Sequence, residues 1–286
     1  MKVTLLKPIG YCQGVIEAIN QSFAIKEKHI NQNVYVFGHL VHNDDVIEEL
    51  KEKGIISLDV SKKDPLELLE SFSANDVVIF TAHGHPKLYE KILDQKQVTY
   101  YDTTCKNVND NMKIIKENLG RGVIYIGKNN HPETIAALSI DKDVVLYDIN
   151  EGINFDDVKT SSPIIVNQTT LSILEIYHIH QDIIKHIPGA KFYDEVCSAT
   201  RVRQVALKDI DDEYDLILVV GSIKSSNTDK LYQIAKENQN IDVYKIDNLN
   251  SLRDLDLSNY HQVLITSGTS TPYRVIKEIK DYLERI

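Results

Sequence analysis

The sequence predicts an α/β fold made of three similar βαβ units, or lobes, whose mainly parallel sheets surround a pseudo-threefold axis. Short β-rich apolar runs alternate along the chain with amphipathic helical segments, a pattern typical of parallel sheets covered by helices. The three cysteines, Cys12, Cys105 and Cys197, lie at nearly equal intervals, which indicates an internal repeat. Each cysteine follows a short strand-like run and precedes a helical pattern, so each is expected at a strand-to-helix turn.

Two further strands in each lobe repeat the same plan. One strand ends in glycine, and a polar group stands four residues beyond it; the three pairs are Gly38 with His42, Gly127 with His131 and Gly221 with Ser225. Another strand runs into a polar loop, which covers residues 81–84, 167–170 and 266–270 in the three lobes. Ligands of parallel α/β sheets collect at the carboxyl ends of the strands. We therefore expect these polar groups and the three thiols to converge on a central cavity.

The predicted lobes cover residues 1–103, 104–195 and 196–286. The strands that precede Cys105 and Cys197 close the sheets of the first and second lobes. By the same cyclic pattern, the N-terminal strand at residues 3–6 should pair with the third lobe. No Pro-rich or Gly/Ser-rich linker separates the lobes.

The composition is that of an ordinary globular protein and excludes several classes. The chain has 286 residues, of which 42% are hydrophobic and 26% charged, so disorder and collagen-like repeats are excluded. A net charge of −10 argues against nucleic acid as a partner, because a phosphate backbone attracts the opposite sign. No apolar run approaches the roughly 18 residues of a membrane span and no secretory leader is apparent. We therefore expect a cytoplasmic location and no membrane partner.

The cysteines are candidate metal ligands. A lone cysteine is usually a small buried hydrophobic residue, but three at equivalent turns of a repeat favour a shared centre. Three thiolates could hold a zinc ion with a fourth ligand, or a 4Fe-4S cluster in which one iron is left open. A structural zinc site would be closed and would not need the polar side chains that are expected to face the same centre.

These polar side chains suit an anion, because helix N-termini and uncharged or weakly cationic donors favour a phosphate or diphosphate. The set comprises His42, His83, His131, Thr169, Ser225, Ser226, Asn227 and Ser270. Taken singly, four of them could be no more than helix N-caps: Thr169, Ser225, Asn227 and Ser270. Glu133 follows a proline and could equally be an acidic residue in the first turn of a helix.

Nine short motifs, in order along essentially the whole chain, resemble those of the IspH/LytB family, the 4-hydroxy-3-methylbut-2-enyl diphosphate reductases. Each motif is weak alone, but nine in register are specific. They are Tyr11-Cys12-Gln13-Gly14-Val15, Val41-His42-Asn43, Ala82-His83-Gly84, Thr104-Cys105, His131-Pro132-Glu133, Gln168-Thr169-Thr170, Cys197-Ser198-Ala199-Thr200, Ser225-Ser226-Asn227 and Ser270-Thr271-Pro272.

The resemblance implies a three-lobed α/β trefoil and a reductive dehydroxylation of (E)-4-hydroxy-3-methylbut-2-enyl diphosphate. The implied products are isopentenyl and dimethylallyl diphosphate, at the last step of the non-mevalonate isoprenoid pathway. The family pattern implies one 4Fe-4S cluster held by Cys12, Cys105 and Cys197, whose open fourth iron binds the substrate's hydroxyl oxygen. No nicotinamide or flavin fingerprint is apparent, so we expect electrons from an external ferredoxin or flavodoxin.

The resemblance also implies roles for the polar residues. Those expected to bind the diphosphate are His42, His83, Ser225, Asn227 and Ser270, with Ser226 alongside. Those expected near the hydroxyl end are His131, Thr169 and Glu133, with Glu133 as the proton donor. A carboxylic acid can donate a proton near neutral pH only if its pKa is raised, which a closed site with an anionic substrate would do.

The motifs depart from the family pattern beside each cysteine. Tyr11 and Gln13 stand where the family usually has Phe and Ala, and Ser198 stands where Tyr is common. Lys106-Asn107 replaces a proline that usually follows the second cysteine. This last change removes a rigid turn and is expected to bring a cation near a cluster thiolate.

Two functions from other classes stay open on the sequence alone. A non-catalytic iron–sulfur or zinc-binding protein could use the same three thiols, but it would leave the polar set without a purpose. A zinc-dependent hydrolase could use Glu133 to activate water, but no His-x-x-Glu-His ligand pair accompanies it. The presence of iron with acid-labile sulfide, rather than zinc, would separate the reductase from both zinc proteins.

Overall fold

A computed structural model describes residues 1–193, 197–211, 213–238 and 240–286 as an α/β protein that divides into two compact units. The first unit comprises Met1–Val15, His42–Val46 and Cys197–Ile286, and the second comprises Ile16–Val41 and Ile47–Val196. The boundary that the sequence places between residues 195 and 196 lies outside the described residues.

Twelve β-strands are present in the described parts of the chain. They are β1 (Lys2–Leu5), β2 (Asn33–Phe37), β3 (Ile55–Leu58), β4 (Asp76–Phe80), β5 (Thr99–Asp102), β6 (Val123–Gly127), β7 (Val144–Asp148), β8 (Ile164–Asn167), β9 (Lys191–Phe192), β10 (Leu216–Val220), β11 (Asp242–Ile246) and β12 (Gln262–Ser267).

The same described ranges contain eleven α-helices, most of which connect parallel strands. They are α1 (Gln13–Lys28), α2 (Asp44–Glu52), α3 (Pro65–Ser71), α4 (Lys87–Gln95), α5 (Lys106–Asn118), α6 (Pro132–Leu138), α7 (Ile173–His186), α8 (Ser198–Lys208), α9 (Ser226–Ala235), α10 (Leu249–Arg253) and α11 (Tyr273–Leu283). None of the helices in these ranges is both long and apolar enough to cross a membrane.

The strands form three four-stranded sheets with the same internal order. The second unit contains the sheets β3-β2-β4-β5 and β7-β6-β8-β9, and the first contains β11-β10-β12-β1. All pairs of named strands are parallel. The repeat and the parallel α/β class that the sequence predicts are therefore confirmed.

The last strand of each sheet is the one that precedes a cysteine. Strand β5 comes before Cys105, β9 before Cys197 and β1 before Cys12. Strand β1 pairs with β12 in parallel, with Lys2 opposite Gln262 and Leu5 opposite Ile265. The N-terminal strand thus completes a sheet whose other members come from the last third of the chain.

The first unit is packed on both faces of its sheet. Alternate residues of β10 point to opposite sides, so Leu218 contributes to one buried cluster and Val219 to the other. Helices α10 and α11 cover the first face, whereas α8 and α9 cover the second. Burial on both faces explains why β10 is a continuous apolar run.

The second unit uses the same construction for β6 and β8. Helices α5 and α6 pack on the face that carries Tyr125, and α7 packs on the face that carries Ile124 and Ile126. These helices begin at the carboxyl ends of the strands, which brings their first residues to the edge where ligands bind in such sheets.

Candidate active site

Each cysteine lies at the start of a helix, and none forms a disulfide. Cys12 directly precedes α1, while Cys105 and Cys197 are the N-cap residues of α5 and α8 and do not use their side chains to cap these helices. All three are half-buried. The N–H groups of a helix start interact favourably with a nearby negative charge, such as that of a thiolate bound to a metal.

Cys12 and Cys197 belong to the first unit and interact electrostatically. Burial raises the pKa of the Cys12 thiol, and a hydrogen bond from the Val15 backbone opposes that shift. The charge of Cys197 raises the same pKa further, whereas the Arg203 guanidinium lowers it. Two thiols beside one buried cation form a donor set that suits a soft metal centre.

The start of α9 holds a buried amide without a hydrogen-bond partner. Ser225 caps this helix, and its Oγ accepts the Thr228 N–H at 3.3 Å. Asn227 is 2% exposed, and neither its Nδ2 nor its Oδ1 has a partner among the described residues. A buried amide in this state costs free energy, so the helix start is suited to a polar ligand.

The backbone segments next to the start of α9 are tightly packed and hydrogen-bonded. Gly221, which directly follows β10, has φ +155°, and a Cβ there would lie 2.6 Å from the Thr228 Oγ1. The Thr271 Oγ1 donates to the Val220 carbonyl oxygen at 3.0 Å and fixes the loop that carries Ser270. Ser270 is buried. The position of the Ser270 backbone is therefore fixed by the neighbouring Thr271 hydrogen bond.

His42 lies in the same unit as Ser225, Asn227 and Ser270. The residues that follow His42 form two ion pairs with other residues of that unit. Lys224 Nζ lies 3.3 Å from Asp44 Oδ1, and Arg274 Nη2 lies 2.9 Å from Asp45 Oδ1. Of the five side chains that the sequence predicts to bind the diphosphate, four belong to this unit, whereas His83 belongs to the other.

Glu133, in the second unit, is buried within a set of hydrogen-bond donors. Its Oε1 accepts from the Tyr125 hydroxyl at 3.1 Å and from the Thr169 N–H at 3.0 Å. Its Oε2 accepts from the Thr169 Oγ1 at 2.9 Å. Burial raises the pKa of Glu133 to about 7, although the donors from Thr169, Tyr125 and Asn111 oppose the shift. The carboxyl can thus exchange a proton near neutral pH.

Two histidines lie close together in the same unit. His131 is the N-cap of α6, and its Nδ1 accepts the Glu133 N–H at 3.2 Å. A neutral His131 ring therefore carries its proton on Nε2. The rings of His83 and His131 meet edge to face with centroids 5.7 Å apart. The structure thus brings together His83, His131 and Glu133.

Thr169 is positioned by the glutamine before it. The Gln168 Oε1 accepts the Lys128 N–H at 3.0 Å, and its Nε2 donates to the Thr170 Oγ1 at 2.8 Å. Gln168 is completely buried. These bonds tie the loop after β8 to the loop after β6 and fix the backbone that donates to Glu133.

Of the four possible N-caps, one caps a helix. Ser225 does so, whereas Asn227 lies inside α9. Helices α7 and α11 begin after Ser172 and Pro272, so the N-cap interpretation is wrong for Thr169 and Ser270. Glu133 does stand in the first turn of α6 behind a proline, and it is also buried. The side chains of Asn227, Thr169 and Ser270 are consequently not needed to start a helix.

Lys106, which replaces the usual proline, forms an ion pair with a residue of its own helix. Its ammonium lies 2.5 Å from Asp110 Oδ2, and its side chain is largely exposed. The hydrogen bond with Asp110 is the main reason that the pKa of Lys106 is raised, and the charge of Cys105 contributes less. The expected cation near a thiolate is therefore largely offset by Asp110.

Three residues around these groups were not predicted from the sequence: Asn111, Tyr125 and Arg203. Tyr125 is a hydroxyl-bearing residue in an otherwise aliphatic buried strand, which is a usable signal. Arg203 and Asn111 lie on amphipathic helices, where a polar residue is normally exposed. No local pattern distinguishes the two from the exposed polar residues of those helices.

Comparison with known proteins gives a family and a fold. The family model described as LytB protein matches residues 3–284. A Malacoplasma penetrans protein named 4-hydroxy-3-methylbut-2-enyl diphosphate reductase is 36% identical over 293 residues, covering 100% of this chain and 98% of its own. A Bacillus cereus protein of the same name is 35% identical over 289 residues, covering 100% of this chain and 90% of its own.

Two solved structures are similar along the whole chain. The E-1-hydroxy-2-methyl-but-2-enyl-4-diphosphate reductase from Plasmodium falciparum has a TM-score of 0.84 at 27% identity, with 99% of this chain and 87% of that chain covered. A structure of (E)-4-hydroxy-3-methyl-but-2-enyl diphosphate reductase has a TM-score of 0.70 at 26% identity, with both chains fully covered. With its three parallel sheets, its helix-start cysteines and a family match over nearly every residue, this chain belongs to the LytB protein family.

Proposed function

We propose that this chain catalyses the reductive dehydroxylation of (E)-4-hydroxy-3-methylbut-2-enyl diphosphate to isopentenyl and dimethylallyl diphosphate. The names of its relatives and its membership of the LytB family support the proposal. The structural observation that carries it is the buried Glu133 carboxyl, whose pKa is raised to about 7 beside Thr169 and His131. Removal of a hydroxyl group needs such an acid, since hydroxide is a poor leaving group.

Cys12, Cys105 and Cys197 would hold one 4Fe-4S cluster with an open fourth iron. The sequence contains no other cysteine, and each of the three thiols stands at a helix start. When bound, the cluster supplies electrons one at a time and a Lewis-acidic iron for the leaving hydroxyl group. Its electrons would come from an external ferredoxin or flavodoxin.

The diphosphate would be bound chiefly by the first unit. Ser225, Ser226 and Asn227 stand at the start of α9, a ten-residue helix whose N-terminus favours anions. His42 and Ser270 would add donors from the same unit, and His83 would add one from the second. The partnerless amide of Asn227 supports this role most strongly, because a phosphate oxygen would satisfy its Nδ2.

Glu133 would supply the proton that leaves with the hydroxyl oxygen. At a pKa of about 7 it is protonated in a large fraction of molecules near neutrality, and a nearby diphosphate would raise that fraction. The Thr169 hydroxyl can accept from the protonated acid and donate to the carboxylate, so it serves both states. Overall, two electrons and two protons convert the alcohol to the product and water. His131 would help to orient the hydroxyl end.

We further propose that the three lobes of the sequence analysis correspond to the three sheets. Residues 1–103 contribute the sheet β3-β2-β4-β5, residues 104–195 contribute β7-β6-β8-β9, and residues 196–286 contribute β11-β10-β12. The pairing of β1 with β12 supports the additional expectation that residues 3–6 complete the third lobe's sheet. Introducing a protease cleavage site at each lobe boundary would test this assignment.

Anaerobic turnover of the hydroxylated allylic diphosphate tests the proposed activity. Iron-reconstituted wild-type protein is supplied with a chemical reductant, and Cys105→Ser is treated in parallel. We expect both five-carbon diphosphates from the wild type, with iron and acid-labile sulfide bound, and at most trace product from the variant. Wild-type protein that binds iron and sulfide without forming either product would overturn the proposed reaction. Bound zinc without sulfide would overturn the cluster.

A further inference from the structure

Arg203 connects the turns of two cysteines in the first unit. It lies on α8, and its Nη1 donates to the Ala199 carbonyl oxygen at 2.8 Å. Its Nη2 donates to the Gly10 carbonyl oxygen at 2.6 Å. Ala199 stands two residues after Cys197, and Gly10 stands two residues before Cys12. One guanidinium therefore ties together the segments that carry these two thiols.

Within the described residues, the same guanidinium is a buried charge without a carboxylate partner. Arg203 is 2% exposed, and within the part of the chain that the structure describes it forms no salt bridge. Its Nε has no hydrogen-bond partner among those residues. An arginine stays protonated in proteins, and a buried charge is costly unless an opposite charge compensates it. Some anion close to Arg203 must therefore offset this charge.

Among the described residues, the ionisable groups that interact electrostatically with Arg203 are the thiols of Cys12 and Cys197. The guanidinium hydrogen-bonds to backbone carbonyl groups two residues away from each of these cysteines. The carbonyl groups that Arg203 contacts carry no net charge, so they orient the guanidinium without neutralising it. Among the described residues, the groups that can supply this anion are thus Cys12 and Cys197, once they bind the cluster as thiolates.

We propose that Arg203 is a positioning residue that holds the Cys12 and Cys197 turns together and supplies the positive charge that offsets their thiolates and the cluster bound to them. This inference rests on the proposed function, because it takes the two cysteines as cluster ligands. Outer groups of this kind fix ligand orientation and tune the centre that the ligands hold. The net charge and hydrogen bonding around an iron–sulfur cluster set its reduction potential.

Two substitutions separate the two parts of this role. Arg203→Met keeps an extended, buried side chain but removes both the charge and the hydrogen bonds. Arg203→Lys keeps the charge on a single ammonium, which cannot reproduce the planar pair of donors. Arg201→Met is the matched control, because Arg201 is a half-buried arginine of the same helix.

The measurements use the reconstituted holoprotein: iron and sulfide per chain, the rate of iron loss to a chelator, the reduction potential and the unfolding temperature. We expect Arg203→Met to lose iron roughly 10- to 100-fold faster than the wild type. Its potential should be lower, since reduction adds a negative charge that no cation offsets. Arg203→Lys should lose iron faster with a potential close to that of the wild type. Arg201→Met should match the wild type in all four measurements.

Retention of iron by Arg203→Met at the wild-type rate and potential would overturn the inference. If that variant does not fold, Arg203→Lys decides the matter, because wild-type iron retention in it would equally contradict the positioning role. A wild-type protein that holds iron and sulfide but forms no product would refute the proposed reaction and leave the measurements on Arg203 valid. A wild type that retains no iron would refute both.

Discussion

The start of α9 in the first unit and the surroundings of Glu133 in the second are both buried and polar, but they are satisfied to different degrees. The Asn227 amide has no hydrogen-bond partner among the described residues, whereas the two Glu133 oxygens accept from Thr169 and Tyr125. The first region is incomplete without a ligand. In the second region the carboxyl oxygens already have hydrogen-bond partners, which suits an acid that holds its proton until the reaction takes it.

The difference shows that burial acts in two ways on polar side chains. For a neutral amide, burial without a partner leaves a free-energy cost that a ligand can recover. For a carboxyl, burial raises the pKa, and the hydrogen bonds from three residues do not fully cancel that effect at Glu133. A binding group and an acid can therefore be distinguished by their partners before any ligand is present.

Glu133→Gln should have the largest effect on the reaction. The amide keeps the size of the side chain but has no acidic proton, so we expect turnover to fall by about 10²- to 10⁴-fold. Iron content and substrate affinity should stay close to those of the wild type. Glu117→Gln, on the exposed face of α5, is the control and should keep full turnover. Wild-type turnover by Glu133→Gln would rule out Glu133 as the proton donor.

The stability of the wild type should depend on pH through Glu133. Its pKa is about 7 in the folded protein and 4.5 in the unfolded chain, so the folded state binds more protons between these values. Stability is then fully present below pH 4.5 and falls as pH rises to about 7. Relative to Glu133→Gln, the free energy of unfolding should drop by about 3 kcal/mol across this window. Urea denaturation at a series of pH values measures the difference, and parallel curves for the two proteins would contradict it.

Asn227→Leu should stabilise the free protein. It replaces a buried amide that lacks partners by an apolar group of similar size, so we expect unfolding to cost about 1–3 kcal/mol more. Asn43→Leu is the matched control, because Asn43 is buried in the same unit but accepts the Asp45 N–H at 2.9 Å. The control should lose stability. A loss in Asn227→Leu as large as in the control would show that Asn227 has a structural role.

Ser225→Ala should have the smallest effect on stability. It removes the Oγ that accepts the Thr228 N–H at the start of α9, and loss of such a cap costs about 1 kcal/mol. Ser226→Ala, at the next position, leaves the Ser225 cap in place and serves as the comparison. Thermal unfolding of the three proteins makes the comparison, and equal midpoints for Ser225→Ala and wild type would mean that the cap contributes nothing.

Much of the fold follows from local sequence patterns. Strands such as β10 and β6 are continuous buried apolar runs, so periodicity finds them. The edge strands β3, β7 and β11 were missed, because their residues are only partly buried and their apolar pattern is weaker. The repeat of the cysteine turns was visible because those turns carry the same residue type at nearly equal spacing.

Local sequence patterns predict less of the candidate site than of the fold. The residue types around Glu133 could be found from motifs, but its donors come from β6, α5 and the loop after β8, far apart in sequence. Arg203 contacts Gly10, which is 193 residues away. Such contacts are set by packing between elements, and no local pattern encodes them.

Binding of inorganic diphosphate to three reconstituted proteins tests the division between the two regions most directly. Calorimetric titration of the wild type, Asn227→Leu and Glu133→Gln gives the three affinities. We predict that Glu133→Gln binds as tightly as the wild type and that Asn227→Leu binds at least about tenfold more weakly, which corresponds to about 1.4 kcal/mol. Undiminished binding by Asn227→Leu, or a comparable loss in Glu133→Gln, would contradict the account.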